Sequence, residues 1–164
     1  MVKKQIITIS RFLGFIVLII GCIILIRPWE IFIVGSYPYA EYYTFNTYSK
    51  ESLIKRIDIF KEENPEYKLM KMSYNGELEE VMSRDTESGY SLYFYFSDID
   101  MTVHCVIKKG AGNPTRLGFT ACSPGVNFSK WKDINKELPK EENAKIKKKF
   151  ETEILNSIGG WSKK

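Results

Sequence analysis

The chain has one histidine, His104, and three cysteines, Cys22, Cys105 and Cys122, so nucleophilic or metal chemistry has few places to start. His104 and Cys105 are neighbours, but adjacent side chains in a strand point to opposite faces, and a Cys–His pair fails on that geometry. The remaining acid–base constellation is His104 with Asp98 or Asp100, two acids that flank a turn and are also ordinary turn formers. A calcium loop needs more oxygen ligands at set positions than that turn supplies. Residues 108–114 (KKGAGNP) contain the glycines of a phosphate cradle without its Gly-Lys-Ser/Thr ending or a helix to open. GxSxG, HExxH, CxxC and GxGxxG are all missing from the sequence. No catalytic residue, metal ligand set or cofactor is assigned, and the chain reads as a non-enzyme. The alternative is a small membrane-anchored enzyme that uses His104 with Asp98 or Asp100.

The elements that must position His104 follow from alternation. Tyr90–Phe96 and Met101–Lys108 form a hairpin in which Phe96 opposes Met101, Phe94 opposes Val103 and Leu92 opposes Cys105, all apolar and on one face. The other face pairs Tyr95 with Thr102 and Tyr93 with His104. A third strand, 116–122, turns Leu117, Phe119 and Ala121 inward and Arg116 and Cys122 outward. Tyr93, Tyr95, Thr102, His104 and Arg116 therefore share an outer face, and Tyr and Arg are enriched where proteins meet partners. That face is the candidate partner-binding surface; the competing expectation is that a helix or the linker covers it. Parity puts Cys105 inside and Cys122 outside, so a disulfide needs a bulge, and two separate thiols are expected.

Ser49 caps a helix near 50–63, whose apolar residues Leu53, Ile57 and Phe60 recur at helical spacing until Asn64-Pro65 ends it. Residues 67–74 alternate as a strand up to the Asn75-Gly76 turn signal. Ile146, Phe150, Ile154 and Ile158 mark the buried stripe of a helix near 140–158, stopped by Gly159-Gly160. The expected fold class is α+β: an antiparallel meander of strands near 67–74, 90–96, 101–108 and 116–122, bracketed by the two helices and preceded by an N-terminal transmembrane helix.

The transmembrane expectation rests on residues 12–26, which carry no charge between Arg11 and Arg27. Extended back to Ile7, the run reads as a single-pass signal-anchor over 7–27, closed by Pro28 and Trp29. Residues 1–6 are then a cytoplasmic N-terminus, 28–48 an aromatic juxtamembrane linker, 49–160 an extracytoplasmic domain and 161–164 a tail. Lys3, Lys4 and Arg11 on the amino side fix that orientation in the plasma (inner) membrane by the positive-inside rule. Ile19-Ile20-Gly21-Cys22 resembles the lipobox of bacterial lipoprotein signal peptides, which implies lipidation at Cys22 as the alternative to an uncut anchor. The apolar run continues past Cys22, where lipoproteins turn polar.

The whole-chain charge of +4 sits largely in this leader, and the later lysines alternate with glutamates along one helix, a solvated face and not a nucleic-acid stripe. The expected partners are the lipid bilayer and an envelope or extracytoplasmic protein, with no nucleic acid. The expected function is a non-catalytic, membrane-anchored binding module.

Overall fold

The structure, a computed structural model, describes residues 37–86, 89–110, 114–126 and 128–163. The chain divides into two compact units, Met1–Pro38 and Tyr39–Lys164, and the elements below belong to the second. Its strands are β1 (Glu41–Phe45), β2 (Met70–Met72), β3 (Leu78–Glu80), β4 (Arg84–Thr86), β5 (Gly89–Phe96), β6 (Met101–Lys109), β7 (Thr115–Pro124), β8 (Lys132–Asp133) and β9 (Trp161–Lys163). Helix α1 is Lys50–Glu63. Helix α2 is Lys140–Phe150, continued by a π-helical turn over Glu151–Leu155 and a last α turn over Asn156–Ile158.

Seven strands make one antiparallel sheet in the order β4-β5-β6-β7-β1-β9, with β8 also paired to β7. The β5–β6 register sets Phe96 against Met101, Phe94 against Val103 and Leu92 against Cys105, as the alternation requires. Both helices pack on the resulting apolar face. Leu53, Ile57 and Phe60 of α1 and Ile146, Phe150, Ile154, Leu155 and Ile158 from 146–158 join one core with the inward residues of the sheet. Phe150 is its hub, with ring centroids 5.9 Å from Tyr43, 5.7 Å from Phe94 and 5.1 Å from Phe119.

Local chemistry accounts for the ends of the helices. The Ser49 hydroxyl accepts from the Ser52 amide at 3.1 Å, satisfying one of the free donors at the start of α1. Asn64 closes that helix by donating both its amide N–H and its side-chain Nδ2 to the Phe60 carbonyl. The π turn after Phe150 adds a residue to the helical repeat, so consecutive Ile154 and Leu155 both reach the core. Gly159 and Gly160, with φ of 73° and 74°, then swing the chain back so that Trp161 pairs with Phe45.

Five expectations are corrected. The fold is mostly sheet, a large antiparallel sheet with two helices, in place of a four-stranded meander bracketed by helices. Residues 70–72, expected as a meander strand, pair only with β3 in a separate two-stranded sheet. The stretch read as linker contributes β1, which is central enough to pair with both β7 and β9, and the expected tail is β9 itself. The transmembrane helix has no support: among the described residues no helix is long and apolar enough to cross a membrane. The described helices α1 and α2 span 14 and 11 residues and keep charged faces, against about 20 apolar residues for a span. The expected signal-anchor over 7–27 and the lipidation candidate Cys22 lie outside the described residues.

The fifth correction concerns strand parity in β7. Cys105 pairs with Phe119 but His104 pairs with Ala121, so Thr120 is an extra, bulged residue. Beyond it Cys122 pairs with Val103 and faces the core, while Ala121 faces outward beside His104. Both thiols are buried and free. Burial pushes the Cys105 thiol well above its usual range and Cys122 up to about 11, which keeps both protonated and unreactive. Alkylation of the native protein is expected to leave Cys105 and Cys122 unlabelled, with both labelled after denaturation and without prior reduction. Truncating the hub, Phe150→Ala, is expected to cost about 3–5 kcal/mol in urea-unfolding experiments, the range for a fully buried phenylalanine.

Candidate functional site

His104 stands mid-strand in β6 on the outer face, and each of its ring nitrogens meets a hydroxyl. Nε2 lies 2.6 Å from Ser91 Oγ of β5, and Nδ1 lies 2.6 Å from Thr120 Oγ1 of the bulge. Thr120 Oγ1 also lies 3.0 Å from the His104 carbonyl and donates to it. A threonine hydroxyl has one proton, so it then accepts from Nδ1–H, which leaves Nε2 to accept from Ser91. The bulge makes this possible, because it releases Thr120 from the ladder and aims its hydroxyl at the histidine. Burial pushes the imidazole down to about 4, so the ring is neutral near pH 7.

Around this neutral ring the sheet and the loop after β7 assemble a cluster of aromatics. Tyr93 stacks on His104 with centroids 5.1 Å apart. Phe128 meets Tyr93 edge-on at 5.3 Å. Trp131 lies 5.8 Å from both His104 and Phe128. Tyr93, His104, Phe128 and Trp131 are all half-buried, so the cluster presents ring faces while its polar centre is satisfied. The Lys71 ammonium of β2 lies over Phe128, 5.6 Å from the ring centroid.

The five outer-face residues expected to act together divide in the structure. Tyr93 and His104 are directly opposed, and Tyr95 and Thr102 form the next pair along. Thr102 is buried and its hydroxyl donates to the Gly125 carbonyl at 2.6 Å, which ties down the loop that carries Phe128. The Tyr95 hydroxyl donates to Asp100 Oδ1 at 2.7 Å, and Asp100 adopts φ 48° in the turn. Arg116 pairs with Lys108, four residues beyond His104 and so about 13 Å away at ~3.3 Å per residue. It lies outside the cluster. Phe128 and Trp131 complete it, and their signal in the sequence is a pair of aromatics three residues apart in a Ser- and Lys-containing loop, where no strand or helix period claims them.

The acid–base arrangement of His104 with Asp98 or Asp100 is not brought together at the imidazole. Asp98 takes the Lys149 ammonium at 2.8 Å, and that ion pair holds its carboxyl below the usual range. The Ser91–His104 contact has the length a serine nucleophile and its base would need. A base with a pKa near 4 is a weak proton acceptor, however, Ser91 is itself buried, and Nδ1 meets a threonine where a carboxylate would raise the basicity. Among the described residues no three His, Cys, Asp or Glu side chains converge as a metal site would require.

No family model, curated protein or solved structure matches the chain.

The His104 environment makes stability depend on pH with a definite sign. Its folded pKa lies below its ordinary 6.5, so between 6.5 and about 4 the unfolded chain binds more protons than the folded one. The neutral-histidine contribution is fully present above pH 6.5 and is lost as the pH falls towards 4, by up to roughly 3 kcal/mol for a shift of this size. Urea unfolding of the wild type and His104→Gln over that window is expected to show a steeper loss for the wild type. Parallel slopes would contradict the buried neutral ring.

Proposed function

We propose that the fold of Tyr39–Lys164 is a non-catalytic protein-binding module whose partner covers the outer sheet face at Tyr93, Phe128 and Trp131. The observation that carries this reading is the ring cluster itself. Half-buried Tyr93 and Trp131 lie against an imidazole whose nitrogens are both engaged by hydroxyls, and half-buried Phe128 packs on both rings. Large rings with few rotatable bonds supply contact area at low entropic cost, and Tyr and Trp dominate the energetics of interfaces for that reason. The imidazole adds a flat floor, since its nitrogens are engaged by Ser91 and Thr120 while Tyr93 stacks on the ring and Trp131 meets it at a steep angle.

The supports of the cluster also suit binding. Gly118, paired with Tyr42 further along the sheet, accommodates its ring, which would lie 2.8 Å from a Cβ at that position. Thr102 and Gly125 hold the loop that brings Phe128 and Trp131 over the strands. A partner therefore meets a surface whose geometry is set before it arrives, which lowers the ordering cost of association.

Photo-crosslinking in cells tests the proposal. A benzoyl-phenylalanine placed at position 93 or 131 is expected to give one discrete protein adduct, while the same group at exposed Lys55 of α1 gives none. Trp131→Ala is expected to lower affinity for the crosslinked protein by ten-fold or more, the usual cost of truncating an interface aromatic. Identical adducts from position 55, or undiminished affinity in Trp131→Ala, would remove this face as the binding site.

A further inference from the structure

Of the exposed large apolar side chains in the described residues, five fall on one short segment: Met70, Met72, Tyr74, Leu78 and Met82. Met72, Leu78 and Met82 are 62%, 66% and 84% exposed, and Tyr74 at the turn is fully so. The segment is the β2–β3 hairpin, which forms its own two-stranded sheet. Its ladder pairs Met72 with Leu78 and Met70 with Glu80 on one face and Lys71 with Glu79 on the other. Exposed apolar residues on a strand with an unpaired edge are a liability in an isolated protein and the usual dress of a strand that accepts another.

The outer edge of β3 has a definite polarity. The Glu77 carbonyl accepts from Ser73 N–H and Val81 N–H donates to the Leu69 carbonyl, so residues 77, 79 and 81 turn their backbone groups towards β2. By strand alternation Leu78 and Glu80 turn theirs outward, and no described strand pairs with them. The side chains along this edge are acidic and apolar in turn. The Glu80 carboxylate is taken by Lys61 at 3.0 Å and Lys68 at 3.7 Å. Glu77 and Glu79 are exposed and form no ion pair among the described residues, because Lys71, opposite Glu79, has its ammonium over Phe128.

We infer that the β3 edge accepts an extended partner segment in which Lys or Arg alternates with aliphatic residues. The backbone of Leu78 and Glu80 supplies the ladder, the basic side chains meet Glu77 and Glu79, and the aliphatic ones cover Leu78. Symmetric pairing of two copies fits poorly, because two antiparallel β3 edges set glutamates against glutamates and two β2 edges set Lys71 against Lys71. The inference rests on the protein-binding reading above and names its partner, since Lys71 joins the hairpin to the Phe128 ring of the aromatic cluster.

The test uses the full chain and three labelled ten-residue peptides: Lys and Val in alternation, Glu and Val in alternation, and five Lys followed by five Val. Fluorescence anisotropy at low ionic strength is expected to show the Lys/Val alternation binding at least ten-fold tighter than either of the others. Amide exchange at Leu78 and Glu80 is expected to slow at least ten-fold on binding. Glu77→Lys combined with Glu79→Lys, both at exposed positions, is expected to reverse the preference towards the Glu/Val peptide with an unchanged unfolding midpoint. Equal binding of alternating and block peptides overturns the inference, as does protection that falls elsewhere. Self-association that protects Leu78 and Glu80 without peptide also overturns it. Crosslinks from position 93 that persist alongside any of these results leave the binding module standing and remove only its proposed partner; loss of those crosslinks with the peptide preference intact does the reverse.

Discussion

The arrangement of both sheet faces depends on one extra residue in β7. Side chains alternate across a strand, so a shift of one residue moves every later side chain to the other face. Leu117 and Phe119 face the core on one side of Thr120, and Cys122 faces it on the other, which an unbroken ladder does not permit. The bulge also marks where β7 changes neighbours, from β1 along 115–119 to β8 at 121–122. The Thr120 carbonyl accepts from Ile134 N–H at 3.0 Å, which directs the following chain, with its buried Ile134 and Leu138, back into the core. The broken ladder costs hydrogen bonds, and the Thr120 hydroxyl repairs the loss at the His104 carbonyl while it also engages Nδ1. Core parity and the state of the outer-face histidine are thus set by the same residue.

A second constraint fixes the far edge. Glu41 on β1 receives Lys147 of α2 at 2.9 Å, Lys163 of β9 at 3.1 Å and the side chain of Asn135 at 3.2 Å. Burial alone would raise its carboxyl, but these hydrogen bonds outweigh it and hold Glu41 below the usual range. Lys163 also reaches Glu151 at 2.8 Å, whose other partner is the buried Tyr43 hydroxyl at 2.9 Å. Asn135 adopts φ 63° in this network, a conformation asparagine tolerates better than most residues, and its Nδ2 donates to the Tyr39 carbonyl. A short terminal strand such as β9 gains little from three residues of ladder, and its attachment draws on this charge network together with Trp161 packed edge-on against Tyr43.

The legible parts of the sequence are those where one local pattern runs long enough to exceed chance. The eight and nine residues of β5 and β6 alternate over most of their length, Val106 apart, so their register and the pairing of Tyr93 with His104 follow from the letters. Ser49, Asn64-Pro65 and Gly159-Gly160 bound the helical regions through chemistry that acts within one turn. The short strands β4, β8 and β9, of two or three residues, carry no period of their own and exist because a longer neighbour offers hydrogen bonds. β1 is obscured differently: its EYYTF sits in an aromatic stretch whose composition also suits a linker. The bulge has no local signature, so alternation alone puts Ala121 and Cys122 on the wrong faces. Phe128 and Trp131 reach the candidate site through a loop whose path depends on Thr102 and Gly125, contacts that sequence spacing does not encode.

The ring cluster and the β2–β3 hairpin share a mechanical logic, apolar surface pinned at its base by a polar group satisfied inside the fold. Lys61 is buried in α1 with its ammonium 5.4 Å from the Phe94 ring centroid, deep enough that an unpaired charge there would be costly. Its carboxylate partner is Glu80, at the base of the hairpin. The demand of that buried ammonium therefore fixes the root of β3, beside buried Leu69, while the tip with Met72, Tyr74 and Leu78 projects free of the core. On the outer face the same role falls to His104, whose two hydroxyl contacts fix the floor beneath Tyr93, Phe128 and Trp131. In each case a polar group satisfied inside the fold sets the position of apolar surface left outside it. Lys71, bridging from β2 to Phe128, brings the two exposed surfaces side by side. A single partner could cover both without the domain having to rearrange, because the polar contacts that hold each of them are already made.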